Sequence, residues 1–238
     1  MITKRTKDFN EIDFNRGEVL LIDKNYRSTS FSVVHKVRKY TGVKKVGHAG
    51  TLDPRATGLL IICTGKATKT ISQYQQKYKI YSGKIVIGKS TPSMDTETDP
   101  YEIKDYLHVT NEMIEETRKS FLGKIKQTAP MYSAVKHNGK ALYKYARKGV
   151  NIAREPRDAE IYEFEITEIN KPEISFRIKC SKGTYIRVIA DDFGKKLGCG
   201  AFLLELRREA IGEYKVEDAF NIEEFGMLME KYSDKKAE

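Results

Sequence analysis

Asp53 is the only acidic residue between Lys24 and Met94, a window that also holds fourteen lysines and arginines. A field of that sign favours polyanions. A carboxylate kept inside it either pairs with a cation or does chemistry, as a nucleophile or as a stabiliser of positive charge. It sits in Gly47-His48-Ala49-Gly50-Thr51-Leu52-Asp53-Pro54, a stretch of small and turn-forming residues. Taken alone, Asp-Pro also reads as a simple turn, and these residues leave both readings open. A second group mixes cations with rings. Residues 131–157 carry seven basic residues and one acid, interleaved with Tyr132, Tyr143 and Tyr145. Cations meet phosphates while rings stack on unpaired bases, so this pattern suits RNA. Tyr143 and Arg147 share a helical face at i, i+4. The competing reading is a surface helix with tyrosines packed inward, Tyr145 above all. Thr64-Gly65-Lys66-Ala67-Thr68 lacks the full Gly-x-x-x-x-Gly-Lys-Ser/Thr spacing of a phosphate loop, which argues against nucleotide hydrolysis.

These residues must be positioned by elements that the patterning outlines. Residues 18–23 read as a buried strand. A helix follows, capped by Ser30, with Val33, Val34, Val37 and Tyr40 on its inner face and Gly42 as its stop. Residues 47–57 read as a loop, 59–64 as a short strand and 78–88 as a strand with Gly83 marking a bulge. Thr110 caps a second helix that ends at Gly123. Residues 161–169 and 174–180 alternate cleanly, as an antiparallel pair joined at Lys171-Pro172. Residues 186–197 form a third helix, 201–206 a strand and 222–231 a last helix. The hairpin favours an α+β fold over a doubly wound parallel sheet: a mixed, mostly antiparallel sheet flanked by helices.

The chain has 238 residues and a formal net charge of +10, the electrostatic footprint of nucleic-acid binding. The charge is uneven, because residues 213–238 hold eight acids against four lysines. Three distant cysteines, Cys63, Cys180 and Cys199, argue against a disulfide framework and for a reducing, cytoplasmic setting. No apolar run approaches the roughly 20 residues of a membrane span, and no secretory leader is expected. Four scattered histidines and no Cys-x-x-Cys make a metal site an unexpected feature.

The blocks Gly47-His48-Ala49-Gly50-Thr51-Leu52-Asp53-Pro54-Arg55-Ala56-Thr57-Gly58, Gly65-Lys66-Ala67-Thr68-Lys69, Lys77-Tyr78, Met131-Tyr132-Ser133-Ala134-Val135-Lys136, Ala141–Arg147, Cys180–Arg187 and Leu206-Arg207-Arg208 recur in order. With them the chain resembles the bacterial TruB family of tRNA pseudouridine-55 synthases over roughly residues 17–215. Two departures stand out. The family's Asp-Lys-Pro is Asp23-Lys24-Asn25 here, and only 30 residues follow the last matched block.

The resemblance implies a pseudouridine synthase fold in one catalytic domain over 1–238. Residues 124–152 would be a thumb-like RNA-binding insertion and 213–238 an acidic extension, without the usual PUA-like domain. It implies isomerisation of a uridine in the T loop of tRNA, at position 55, after the base is flipped from its stack. Asp53 would be the catalytic carboxylate, Arg187 its ion-pair partner, and Tyr78 a ring stacked on the target uracil. For Arg187 the alternative is an exposed helix end, and for Tyr78 a core aromatic. His48 would help hold the RNA rather than act as a base. Lys24, Lys66, Lys136, Tyr143, Arg147, Arg207 and Arg208 complete an expected RNA-binding set. No cofactor is implied, the partner is the T arm of tRNA, no protein partner is required and a monomer is expected. An RNA chaperone that needs no catalysis, or the same chemistry on another RNA, are the competing readings.

Overall fold

Strand β1 (Val19–Lys24) carries apolar residues in succession because both of its faces are covered. Leu20 and Ile22 enter one buried cluster with Val33, Val37, Leu60 and Ile62, whereas Leu21 enters another with Leu59, Ile61 and Cys63. The computed structural model describes residues 1–9 and 11–237, with side chains to Tyr232. Helix α1 (Ser30–Thr41) starts one residue earlier in cap geometry than expected. Thr29 is the N-cap and accepts from the Ser32 amide, which frees Ser30 for another use. Gly42, in left-handed geometry, closes the helix as expected. Strand β2 (Val46–His48) lies at the start of the expected loop, too short for its period to show, and pairs antiparallel with β3 (Thr57–Thr64). A 3-10 turn over Gly65–Thr70 and helix α2 (Ile71–Gln76) follow.

The chain groups into two compact units, one of residues 1–81 with 206–238 and one of 82–205. Strand β4 (Lys79–Ile87) begins in the first and ends in the second. The second unit contains β5 (Lys89–Ser90) paired with β6 (Glu102–Ile103), then α3 (Asn111–Lys119), capped as expected by Thr110. Strand β7 (Gly123–Thr128) comes next, then a small hairpin of β8 (Lys136–His137) and β9 (Lys140–Ala141), and helix α4 (Leu142–Ala146). The long strands β10 (Pro156–Asn170) and β11 (Glu173–Cys180) form the expected antiparallel pair, and β7 lies on the other edge of β10 in register Thr128↔Pro156 to Gly123↔Ile161. Residues 124–128 are therefore sheet, and the expected thumb can start only after Thr128. Helix α5 (Ile186–Lys196) contributes Phe193 to an aromatic core with Phe121, Phe164 and Phe176, in ring contacts of 6.0–6.2 Å. Gly83 marks a close approach: a Cβ there would crowd the Glu205 carbonyl oxygen and the Phe176 ring.

Strand β12 (Ala201–Ile211) returns the chain to the first unit. It runs five residues past its expected end because Arg207, Arg208 and Glu209 interrupt the apolar pattern without breaking the strand. Within the first unit β3 is central. One edge pairs with all of β1. The other edge takes β12 in parallel at Thr57 and Gly58, and β2 at Ile62 to Thr64. Gly58, at φ 104°, is required there, since a Cβ would lie 2.4 Å from the Arg208 carbonyl oxygen. Strand β13 (Tyr214–Lys215) folds back on β12, β14 (Phe220–Asn221) adds in parallel to β1, and α6 (Ile222–Ala237) closes the unit. The acidic end is thus no extension. Phe220, Ile222, Phe225 and Met229 belong to the same buried cluster as α1.

Among the described residues no helix is long and apolar enough to cross a membrane. The three cysteines are buried thiols, and burial pushes Cys63 up to about 11.

Because Phe225 is fully buried against Phe14, Tyr40 and Phe220, Phe225→Ala should cost about 3–5 kcal/mol of stability in urea unfolding. A loss below about 1 kcal/mol would show that α6 does not carry this core.

Candidate active site

The Ala56 amide donates to the Asp53 carbonyl at 3.0 Å, so Asp53-Pro54-Arg55-Ala56 is a four-residue turn with Pro54 at its second position, where the ring's fixed φ suits it. The simple-turn reading of Asp-Pro is therefore true of the backbone, and the turn carries the carboxylate. What surrounds it is less ordinary. Ser30 Oγ donates to the Leu52 carbonyl at 3.1 Å and accepts from the Leu52 amide at 2.9 Å, satisfying both backbone groups of the residue before Asp53. Arg208 is 1% exposed. Its Nη2 donates to the Gly50 carbonyl at 3.1 Å, Nη1 to Thr51 at 3.4 Å, and Nε to Leu59 at 2.7 Å. Lys24 is 0% exposed, and its ammonium donates to the carbonyls of Ser28 at 2.7 Å, Asn25 at 3.1 Å and, at the limit of a hydrogen bond, Pro54 at 3.5 Å. Residues 50–54 thus hang from three buried side chains on β1, α1 and β12.

Burial pushes the Lys24 ammonium down to about 8; attraction to Asp53 opposes that shift and repulsion from Arg208 adds to it. Two cations therefore share this neighbourhood, and the carboxylates of Asp53 and, more weakly, Asp23 offset them. His48, at the end of β2, has its pKa lowered, first by burial and then by the Arg208 charge, against a hydrogen bond with the Gly50 backbone. It is a neutral ring at pH 7. Its Nδ1 is buried without a hydrogen-bond partner.

Tyr78 immediately precedes β4 and is 37% exposed, so it is not a core aromatic. Its carbonyl accepts from the Gly212 amide at 2.9 Å. The neighbouring Lys79 is buried, with its ammonium on the carbonyls of Lys77 at 2.6 Å and Gln75 at 2.7 Å, which fixes the approach to Tyr78 from the other side.

In the second unit, Arg187 opens α5 but is 3% exposed, which rules out an exposed helix end. Its Nη2 donates to the Tyr132 carbonyl at 2.8 Å and Nη1 to the Ser93 carbonyl at 3.3 Å, with the Asp95 carboxylate at 3.8 Å. Asp95, a partner not foreseen, belongs to a knot in which Thr91 Oγ1 donates to its carbonyl at 2.7 Å and its carboxylate accepts from the Glu97 amide at 2.9 Å.

The expected RNA-binding residues divide. Lys66 is exposed on the 3-10 turn and lines a shallow cavity of about 390 Å³ with Lys44, Lys45 and Gly65. Lys136 is exposed on β8. At the C-terminal cap of α4 the Arg147 guanidinium lies over the Tyr143 ring at 5.4 Å, the i, i+4 pairing expected, while its Nη2 also meets Glu97 at 3.0 Å. Tyr145 is not packed in the core. Its hydroxyl donates to the His137 carbonyl at 3.3 Å, and the Lys140 ammonium lies 4.8 Å from its ring. Two expectations are corrected: Lys24 and Arg208 are buried on backbone carbonyls and cannot reach phosphate. Arg207, partly exposed, pairs with Asp23 in a two-pronged contact of 2.7 and 3.1 Å.

Residues 38–186 match the model of the TruB family pseudouridylate synthase N-terminal domain, and residues 187–238 match that of the tRNA pseudouridylate synthase B C-terminal domain. The chain belongs to the TruB family. The acidic end falls inside the second match. The tRNA pseudouridine synthase B of Flavobacterium johnsoniae is 50% identical over 88% of this chain and 95% of its own. That of Chloroherpeton thalassium is 49% identical over 85% and 86%. A solved H/ACA RNP bound to a substrate RNA containing 2'-deoxyuridine contains a chain of the same fold, with a TM-score of 0.70 and 25% identity over 94% of this chain. This chain spans 57% of that one.

Sequence reasoning about this TruB member missed Ser30 and Lys79. Both lie in ordinary contexts, a helix start and a strand start, and only the chain brought near them reveals their use. Ser30→Ala leaves a buried amide and carbonyl unpaired, so it should cost about 1–3 kcal/mol in urea unfolding; an unchanged midpoint would sink that role. For His48 the sign follows from its lowered pKa. Above pH 6.5 the ring is neutral folded or unfolded. As pH falls below 6.5 the unfolded state takes up the proton first, so stability is lost until the folded pKa is passed. Wild type should therefore lose more stability than His48→Gln between pH 7 and pH 5. Parallel unfolding curves across that range would contradict it.

Proposed function

We propose that this protein isomerises uridine to pseudouridine at position 55, in the T loop of tRNA. The observation that carries the reading is the Asp53 turn, a carboxylate on a loop whose backbone is held by three buried side chains, in a chain of the TruB family. The names of its relatives supply the tRNA, and the solved RNP bound to a substrate RNA agrees with an RNA substrate.

The chemistry is balanced within the substrate. The bond between uracil N1 and the ribose C1′ breaks, the base turns, C5 bonds to C1′, the proton on C5 passes to solvent, and N1, freed from the sugar, takes up a proton in its place. Asp53 attacks an electrophilic carbon of the nucleotide or stabilises the positive charge that develops on the ribose as the base departs. Its turn is built before substrate arrives, so little reorganisation is needed. The target base must leave its stack, at a few kcal/mol, and loop RNA makes that less costly than a duplex. Tyr78, presented at the start of β4, stacks on the flipped uracil and takes part in moving the C5 proton. Stacking is worth about 1–3 kcal/mol per base. By the family resemblance Arg187 is the third residue of the catalytic set; within its own unit its guanidinium is held by the Tyr132 and Ser93 carbonyls. His48, neutral and half-buried, holds the RNA without acting as a base.

We read the whole chain as one catalytic domain working in the cytoplasm as a monomer. The Tyr143–Arg147 stack, Lys136 and Lys66 supply contacts to RNA, and residues 129–152 form the thumb that closes on the T arm.

With tRNA carrying tritium at uridine C5, wild type should release the label, and Asp53→Asn should abolish release while changing RNA affinity little. Retention of label by wild type that binds the tRNA would refute the reading. Folding of tRNA by Asp53→Asn would show a chaperone activity beside the catalytic one.

A further inference from the structure

Tyr26 and Arg27 stand at the tip of the connection between β1 and α1, and neither is used by the core or by the chemistry assigned above. The Ser28 amide donates to the Asn25 carbonyl at 3.3 Å, so the two residues are the middle of a turn. Tyr26 is 48% exposed. The Arg27 guanidinium lies over its ring, 5.6 Å from the centroid, and Arg55 Nη1 donates to its hydroxyl at 3.0 Å. Arg55 is two residues beyond Asp53, inside the same turn. One ring thus gathers two arginines at the edge of the carboxylate's own turn. The connection and the turn also share an anchor, since the Lys24 ammonium holds the carbonyls of Asn25, Ser28 and Pro54 together.

The backbone at Arg27 adds a second, independent observation. Its φ is +60°, in the left-handed region that disfavours every side chain but glycine's hydrogen. Such a conformation persists where the surroundings impose it, and it clusters at binding sites. Here the imposing group is Lys24, which bonds the carbonyls on both sides of the Tyr26-Arg27 pair. Nothing in the packing rewards an arginine at that position, because the residue is exposed. Glycine would meet the geometry without strain. What arginine adds is a planar cation laid on an exposed ring.

We propose that Tyr26, Arg27 and Arg55 form a second RNA subsite that takes an unpaired nucleotide flanking the target uridine. Its base stacks on the Tyr26–Arg27 layer, and its phosphate is met by the guanidinium groups. A layered ring and guanidinium is a surface on which any base stacks, while arginine holds phosphate in a fork. The subsite positions the RNA strand so that the neighbouring base reaches Asp53. The inference rests on the reading of the protein as an RNA isomerase, since it assumes that a uridine enters at Asp53.

The test uses the full-length protein and a T-arm RNA hairpin, and measures affinity against salt, tritium release and the thermal midpoint. Tyr26→Ala should weaken binding about ten-fold, the loss of one stacked base, and raise KM more than it lowers kcat. Tyr26→Trp should restore affinity. Arg27→Gly should keep or raise the thermal midpoint, since glycine suits φ +60°, yet weaken binding and flatten the slope of log affinity against log salt by roughly 0.7. Wild-type affinity and slope in both Tyr26→Ala and Arg27→Gly would overturn the subsite, as would a lowered midpoint with unchanged binding in Arg27→Gly. If instead wild type itself neither binds the hairpin nor releases tritium, it is the isomerase reading that fails.

Discussion

An ammonium group cut off from water must be given partners by the protein, and in this fold Lys24 is that group. Three backbone carbonyls and the charge of Asp53 replace its hydration, and burial still drags its pKa down to about 8. The carbonyls come from both sides of the chain that it must unite: Asn25 and Ser28 from the connection after β1, and Pro54 from the turn that carries the carboxylate. Removing the turn would take away one of those carbonyls and the Asp53 charge, leaving a buried cation under-compensated, a costly defect in a core. Arg208 repeats the device from β12, donating to Gly50, Thr51 and Leu59. Ser30 completes it from α1. The loop is short of secondary structure, but its backbone is held as firmly as a strand's would be.

The same principle sorts the basic residues. Buried cations, such as Lys24, Lys79 and Arg208, spend their donors on carbonyls and build the fold. Others are neutralised at the surface. Lys36 pairs with Glu223 at 2.8 Å and Lys77 with Glu213 at 2.9 Å, which gives the acidic end a local purpose. Such exposed pairs contribute little stability each. The remainder, including Lys44, Lys45 and Lys66 around one cavity, keep the basic field that favours a polyanion. A count of charges along the sequence weights all three kinds alike.

The elements easiest to read were those whose pattern is set by local burial. The alternating pair β10 and β11, the Thr110 cap and the Gly42 stop are legible because one face, one side chain or one φ decides each. Strand β2 is too short for a period, and β14 is two residues placed by pairing with β1. The far half of β12 was hidden because Arg207 and Arg208 look like surface residues. Arg207 is partly exposed and pairs with Asp23, while Arg208 is buried and donates to the Asp53 loop, contacts made across some 150 residues or more of sequence.

By itself the sequence determined that a lone carboxylate lies on a turn within a basic chain of mixed α and β elements, and its motifs carried the family. Those are properties of residue type and spacing, written in one dimension. Tertiary structure alone decided which cations surround that carboxylate as scaffold and which are left for RNA. An arginine or lysine has the same charge in either role. Only the arrival of distant carbonyls, and the exclusion of water from Lys24 and Arg208, tells the two apart.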